Sequence, residues 1–243
     1  MSDINYLPRN WARALARAAV ASEAIRNALL TANPDYETLY THFLGDALPG
    51  EWGAAKTNGT SAAVTVAGSK LTMTTGTDDN GYAGQGFGLF WAGDRGFYME
   101  SLQALDVLTT VKLEVGVSDA IADAGAVNVK ATPSATAADF AVLCFDTDDN
   151  TQLDLISQKA TGVAADAENV HTLVAATNFR VEMRGQGDVV SVFVNGKGVG
   201  GGNIEGGSAI SPWLFAQSRA GSASRIFTGE YLVMTGPSGL AIP

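Results

Sequence analysis

Two periods of apolar patterning divide the chain. In residues 10–31, NWARALARAAVASEAIRNALLT, the side chains Trp11, Leu15, Ala18, Ser22, Ile25 and Leu29 follow one another at intervals of four and three. That spacing lines them up on one helical stripe, and Arg9, Arg13 and Arg17 fall on roughly the opposite side. No Gly or Pro interrupts the run, Asn10 is a suitable N-cap, and Asn33-Pro34 supplies the stop, so a helix is predicted over 10–31. From residue 62 onward the pattern becomes short runs rich in Val, Thr, Phe and Leu, broken by Gly, Asp and Asn. These lie at 62–68, 70–75, 84–91, 95–102, 107–118, 126–131, 140–147, 151–157, 178–185, 188–196, 212–218 and 225–235. In the clearest of them Phe179, Val181 and Met183 alternate with Arg180, Glu182 and Arg184. Short strands without intervening helix-length patterns predict antiparallel sheets rather than a parallel α/β fold.

The segment between, residues 34–56, carries a predicted helical turn from Tyr36 to Leu44 and then Pro49-Gly50. The change of texture near Lys56 suggests a helical arm and linker over 1–55 and a β-sandwich over 56–243. Alternation and hairpin geometry place Val181, Met183, Val190, Val192, Val194, Leu214, Phe227 and Tyr231 in the interior. Asn195-Gly196 is a type I′ hairpin pair. GKGVGGGNIEGG at 196–207 lacks the spacing and following helix of a phosphate loop, and is read as a flexible loop.

Composition narrows the function classes. Of 243 residues, 46% are hydrophobic and 16% charged, enough apolar material for a sizeable core, and the net charge of −10 disfavours nucleic acid and anionic membranes as partners. A single cysteine, Cys144, excludes an intrachain disulfide, and two histidines nearly exclude a structural zinc site. The start MSDINYLPRN has no basic n-region, and the apolar stretch after it carries three arginines, so neither a signal peptide nor a membrane span is expected.

The order FRVEMRGQGDVVSVFVNGK, then ISPWLFAQSRAGSASRIFTGEYLVM, resembles the closing strands of concanavalin A-like, laminin-G-like jelly rolls. FYMESLQALDVLTTVKLEVGVSD is similar to the earlier strand pair and AVLCFDTDDNTQLDLIS to the central sheet, so the resemblance spans roughly residues 60–236. It implies a mainly β, antiparallel jelly-roll sandwich preceded by the helical arm. Glycine- and alanine-rich modules of this kind also resemble capsid decoration, head-fibre and tail adhesin proteins of tailed bacteriophages. That likeness implies a non-enzymatic virion structural protein, a capsid decoration or head-surface subunit made in the host cytoplasm. Its partner would be the major capsid protein or another virion protein, and it would be a homo-oligomer, a trimer among the options. The small-residue-rich helix either packs on its own chain or docks on another subunit, and docking would use Trp11, Leu15, Ile25 and Leu29. The rival readings are a carbohydrate-binding module or tail adhesin recognising host glycans, and a glycoside hydrolase.

Glycosidases pair two carboxylates, and the acidic strand residues Glu100, Glu114 and Glu182 read as isolated, with no ExDxxE motif. Hard oxygen ligands gather at Asp146, Asp148, Asp149 and Asn150, and at Asp78, Asp79 and Asn80. Laminin-G-like modules often hold calcium at a sandwich rim, which makes either turn a calcium candidate, against the alternative of ordinary acidic turn residues. Tyr82, Phe87, Phe90 and Trp91 are read as core filling, with a sugar-binding patch as the alternative.

Overall fold

The computed structural model describes residues 36–43, 47–48, 52–89, 91–93, 96–120, 125–160, 162–205, 208–221 and 223–237. The predicted helix, with Trp11, Leu15, Ile25 and Leu29, lies outside the described residues.

Among the described residues eighteen strands follow one another: β1 Tyr36–Thr41, β2 Lys56–Asn58, β3 Ala63–Ala67, β4 Lys70–Thr74, β5 Tyr82–Gly86, β6 Trp91–Ala92, β7 Phe97–Leu105, β8 Val111–Ser118, β9 Val127–Val129, β10 Ser134–Ala135, β11 Phe140–Asp146, β12 Asn150–Gln158, β13 Val163–His171, β14 Phe179–Gln186, β15 Val189–Val194, β16 Lys197–Asn203, β17 Ala209–Ser218 and β18 Ile226–Pro237. They form two large antiparallel sheets. The first runs β16-β15-β14-β7-β18-β4-β3, with β1 also on β18; the second runs β13-β12-β11-β8-β17-β5-β2, with β6 also on β17. Strands far apart in sequence are neighbours in both, as a jelly roll requires. The β9–β10 hairpin stands apart from both sheets.

The period-two pattern explains the layers. Met99, Val181, Met183, Val190, Val192 and Phe227 point inward from the first sheet and meet Leu113, Val115, Leu143, Phe145, Leu155 and Leu214 from the second. Seven of the eight interior residues expected from sequence are buried. Tyr231 is not. Phe227 and Gly229 face inward, but the pairing of β18 with β7 slips between Gly229 and Tyr231, after which Leu232 and Met234 take the inward positions. One extra residue reverses the parity of the strand, and the bulge turns Tyr231 onto the outer face.

Three other expectations are corrected. Tyr36–Thr41 is a strand, not a helical turn, with six successive partners on β18 from Pro237 to Leu232. Leu39, Phe43 and Trp52, from the segment assigned to the arm and linker, lie in the main core. The supposed flexible loop at 196–207 contains strand β16, whose glycines permit a close approach of the two sheets. A Cβ on Gly200 would sit 3.0 Å from that of Ala167, and one on Gly202 would sit 2.9 Å from that of Ser157. Asn195 and Gly196 have φ of 52° and 81°, the two left-handed residues of the expected type I′ turn.

Polar side chains also enter the core. Gln103 faces inward from β7 with both amide atoms buried and unbonded, and Ser101 Oγ on the same face is likewise without a partner. An unmet buried amide costs about 1–3 kcal/mol. Gln103→Met, nearly the same shape, is expected to raise stability by about 1–2 kcal/mol in urea melts; a loss of stability would show that the amide has a partner in solution.

Candidate functional site

The outer face of the first sheet carries the most organised chemistry. Three adjoining strands contribute side chains of one parity: Tyr98, Glu100 and Leu102 from β7; Arg180, Glu182 and Arg184 from β14; Tyr231, Val233 and Thr235 from β18. Register sets them in rows. Glu182 is opposite Glu100, which is opposite Val233; Arg184, Tyr98 and Thr235 form the next row, and Arg180, Leu102 and Tyr231 the one before.

Hydrogen bonds lock the rows together. Tyr231 Oη donates to Glu100 Oε1 at 2.5 Å, and Tyr98 Oη donates to Glu100 Oε2. Arg184 donates to Glu182 Oε1 through Nε at 2.6 Å and through Nη2, and its guanidinium lies 4.4 Å from the ring centre of Phe193 on β15. Arg180 Nη1 is 3.9 Å from Glu100 Oε1. His42 meets Tyr231 edge-on, centroids 5.9 Å apart. The carboxylates are nearly buried while the tyrosines, both arginines and Phe193 remain half-exposed. Half-exposed tyrosines and guanidinium groups thus stand on buried anionic supports, an arrangement that fixes polar groups before a ligand arrives.

Glu100 and Glu182, read as isolated in the sequence, are therefore brought together. Directly opposed residues on antiparallel strands have Cβ atoms about 4.5–5.5 Å apart, so the two acids are neighbours on one face, as the paired carboxyl groups of glycosidases are. The visible signal was the Arg180, Glu182, Arg184 alternation on one strand face. Its meeting with Glu100 is a matter of register between β7 and β14, some eighty positions apart, and no local pattern reports it.

Glu114 has a different fate. It projects from β8 on the outer side of the second sheet, beneath the segment carrying β9 and β10, and is completely buried. Its carboxylate accepts from Ala126 N at 2.7 Å, Val127 N at 3.0 Å and Trp213 Nε1 at 2.9 Å, and sits 2.7 Å from Lys112 Nζ. Lys112 also donates to Val127 O and lies over Phe215 at 5.4 Å. Gly125, at φ +86°, passes so close that a Cβ there would meet Glu114 Oε1 at 2.7 Å. The small cores above and below, Ala126, Val127 and Ala137 against Val142, Cys144, Trp213 and Phe215, seal the pair from water. This is an anchor for the covering hairpin.

The two acidic turns are held by other partners. Arg219 Nε is 2.9 Å from Asp146 Oδ1 and 3.4 Å from Asp148 Oδ2. On the other side Lys130 Nζ reaches Asn150 Oδ1 at 2.6 Å, Asp149 Oδ2 at 3.2 Å and Asp154 Oδ2 at 3.0 Å. The four candidate ligands are drawn toward two different cations instead of converging on one point. In the other turn Asp78 Oδ2 accepts from Thr60 N at 2.8 Å, an ordinary turn bond, while Asp79 is exposed. Among the described residues no group of three or more His, Cys, Asp or Glu side chains is arranged to hold a metal ion.

The aromatic segment divides. Phe87 and Trp91 are in the main core, their centroids 5.6 Å apart, whereas Tyr82 lies on the outer side of the second sheet against Phe215; Phe90 is outside the described residues. The Cys144 thiol is fully buried, and burial pushes its pKa far above the usual range, so it is inert as a nucleophile.

No protein-family model matches the chain, and no curated protein matches it in sequence. Its likeness to solved structures is one of shape. An endo-acting O-glycanase structure from human gut microbiota has a TM-score of 0.59 at 8% identity, covering 81% of this chain and 97% of that one. A β-1,3-1,4-glucanase (lichenase) from a mouse hindgut metagenome has a TM-score of 0.58 at 11% identity, covering 82% and 99%. The CBM2 module of the evolved Dit of Lactobacillus casei BL23 phage J-1 has a TM-score of 0.52 at 10% identity, covering 86% and 99%. The fold is a concanavalin A-like jelly roll. Two of these three structures are of enzymes, which corrects the expectation of a non-enzymatic protein: the fold on which that expectation leaned is one that enzymes use. Identities this low carry the fold and no activity.

Proposed function

We propose that this chain is a carbohydrate-recognising jelly roll whose ligand lies across the outer face of β7, β14 and β18. The observation that carries the reading is the fixed array of half-exposed Tyr98, Tyr231, Arg180 and Arg184 on the buried Glu100 and Glu182. Sugars offer one apolar ring face and a rim of hydroxyls, and such ligands suit aromatic surface beside oriented donors. The glycan-acting proteins among the similar structures support this reading. Glycan-array binding by the full chain, followed by titration calorimetry, tests it. Tyr231→Ala is expected to weaken binding about 10- to 100-fold, the worth of one stacking and hydroxyl contact near charge, with a melting transition still cooperative. Tyr98→Ala is the companion variant. A chain that binds no saccharide on the array would overturn the proposal.

The opposed pair Glu100 and Glu182 favours a second reading, in which the same face cleaves the saccharide it holds. New reducing ends released by the native chain, and lost in Glu182→Gln, would support it. The resemblance to phage head and tail proteins, together with the phage Dit module, supports placing the chain on a virion surface as a subunit bound to a capsid or tail protein. Mass spectrometry of purified virions tests that placement.

A further inference from the structure

The charge on the proposed face is layered. Glu100 and Glu182 expose 9% and 2% of their side chains, whereas Arg180 and Arg184 expose 31% and 26%. The negative groups form the floor and the positive groups form the surface that a ligand meets. Arg184 is committed, with Nε and Nη2 both on Glu182 and its plane stacked on Phe193. Arg180 is not. Among the described residues its side chain makes one ion pair, the 3.9 Å approach to Glu100, too long for a hydrogen bond, and its Nη2 packs beside Gly196, so most of its fork of donors remains available. Glu230, which precedes Tyr231 in the chain, is occupied by Asn178 Nδ2 at 2.9 Å and Lys70 Nζ at 3.3 Å. Such a half-exposed guanidinium without a hydrogen-bonded partner stands out on a chain of net charge −10.

From this layering we infer that the face takes an anionic saccharide, one bearing a sugar carboxylate, and that Arg180 receives that carboxylate. The inference rests on the carbohydrate reading above. A planar carboxylate matches the two parallel N–H donors of a guanidinium, and the pairing is directional where a lysine would offer only a point charge. Arg180 shares its row with Leu102 and Tyr231, so a ring stacked on Tyr231 can direct an equatorial carboxylate along that row to Arg180.

The test uses the full chain and matched probes: oligogalacturonate, the same oligomer fully methyl-esterified, and a neutral cello-oligosaccharide, each titrated at low and at physiological salt. Oligogalacturonate is expected to bind at least tenfold more tightly than its ester and to weaken as salt rises. Arg180→Gln should remove that preference while leaving the melting temperature unchanged, and Arg180→Lys should restore it only in part. Equal binding of acid and ester, or a preference that survives Arg180→Gln, overturns the anionic inference and leaves the carbohydrate reading standing. Binding of none of the three probes, joined to an empty glycan array, overturns both.

Discussion

A chain that begins at residue 56 is expected to lose its cooperative unfolding transition. The change of sequence texture near Lys56 suggests that the sandwich is complete from that point, but the structure draws its core from earlier residues. Strand β1 supplies a ladder of six partners to β18. Phe43 and Trp52 stand 5.7 Å apart, Trp52 stands 5.4 Å from Phe87, and Phe87 stands 5.6 Å from Trp91, a continuous aromatic row inside the sandwich. Deleting one buried Phe or Trp side chain typically costs about 3–5 kcal/mol, and a whole domain has only about 5–15 kcal/mol to lose. Removing two, with a strand, approaches or exceeds that margin. Circular dichroism melts and dye binding by the shortened chain measure the outcome. A sharp transition matching that of the full chain would show that the remaining strands close the core without Phe43 and Trp52.

The second large effect is expected at Glu114. Glu114→Ala removes the shared acceptor of two backbone amides and the Trp213 indole, and leaves Lys112, among the described residues, as a buried cation beside Val127 O and an aromatic face. Removing one partner of a buried pair costs about 3–5 kcal/mol because the remaining charge stays out of water without compensation. The loss should show in urea melts as a lower midpoint, and in hydrogen exchange as faster exchange at Ala126 and Val127. The double variant Lys112→Met with Glu114→Leu should recover much of the stability, since the site is lined by the apolar side chains that pack around Trp213 and Phe215. A Glu114→Ala protein as stable as the original would mean that water reaches Lys112 and that the hairpin is not anchored there.

The contrast between Glu114 and the Glu100–Glu182 pair shows where sequence information ends. All three occupy similar local settings: a single acid within a strand, next to at least one apolar residue that faces the core. Side-chain parity, set by the rotation of successive residues along a strand, was legible in the runs around Val181 and Val192, as were the Asn195-Gly196 turn and the antiparallel fold class. Those features depend on neighbours in the chain. What sits above each acid does not. Glu114 is closed over by residues 125–137, while Glu100 is joined to Glu182 by the pairing of β7 with β14 and to Tyr231 by a bulge that reverses β18.

The sequence by itself determined that the chain builds antiparallel sheets, which face of most strands is apolar, and that Asn195-Gly196 makes a two-residue turn, because a period of two and a left-handed turn are local properties of the backbone. Only the tertiary structure decided that Leu39, Phe43 and Trp52 complete the core, that a glycine-rich stretch becomes the edge strand β16 pressed against the second sheet, and that Asp146, Asp148, Asp149 and Asn150 face Arg219 and Lys130. It also decided that two carboxylates, two tyrosines and two arginines share one open face. Each of these is a contact between segments distant in sequence, and its energy comes from burial, charge pairing and register across strands, none of which a stretch of sequence possesses until its partner strand lies beside it.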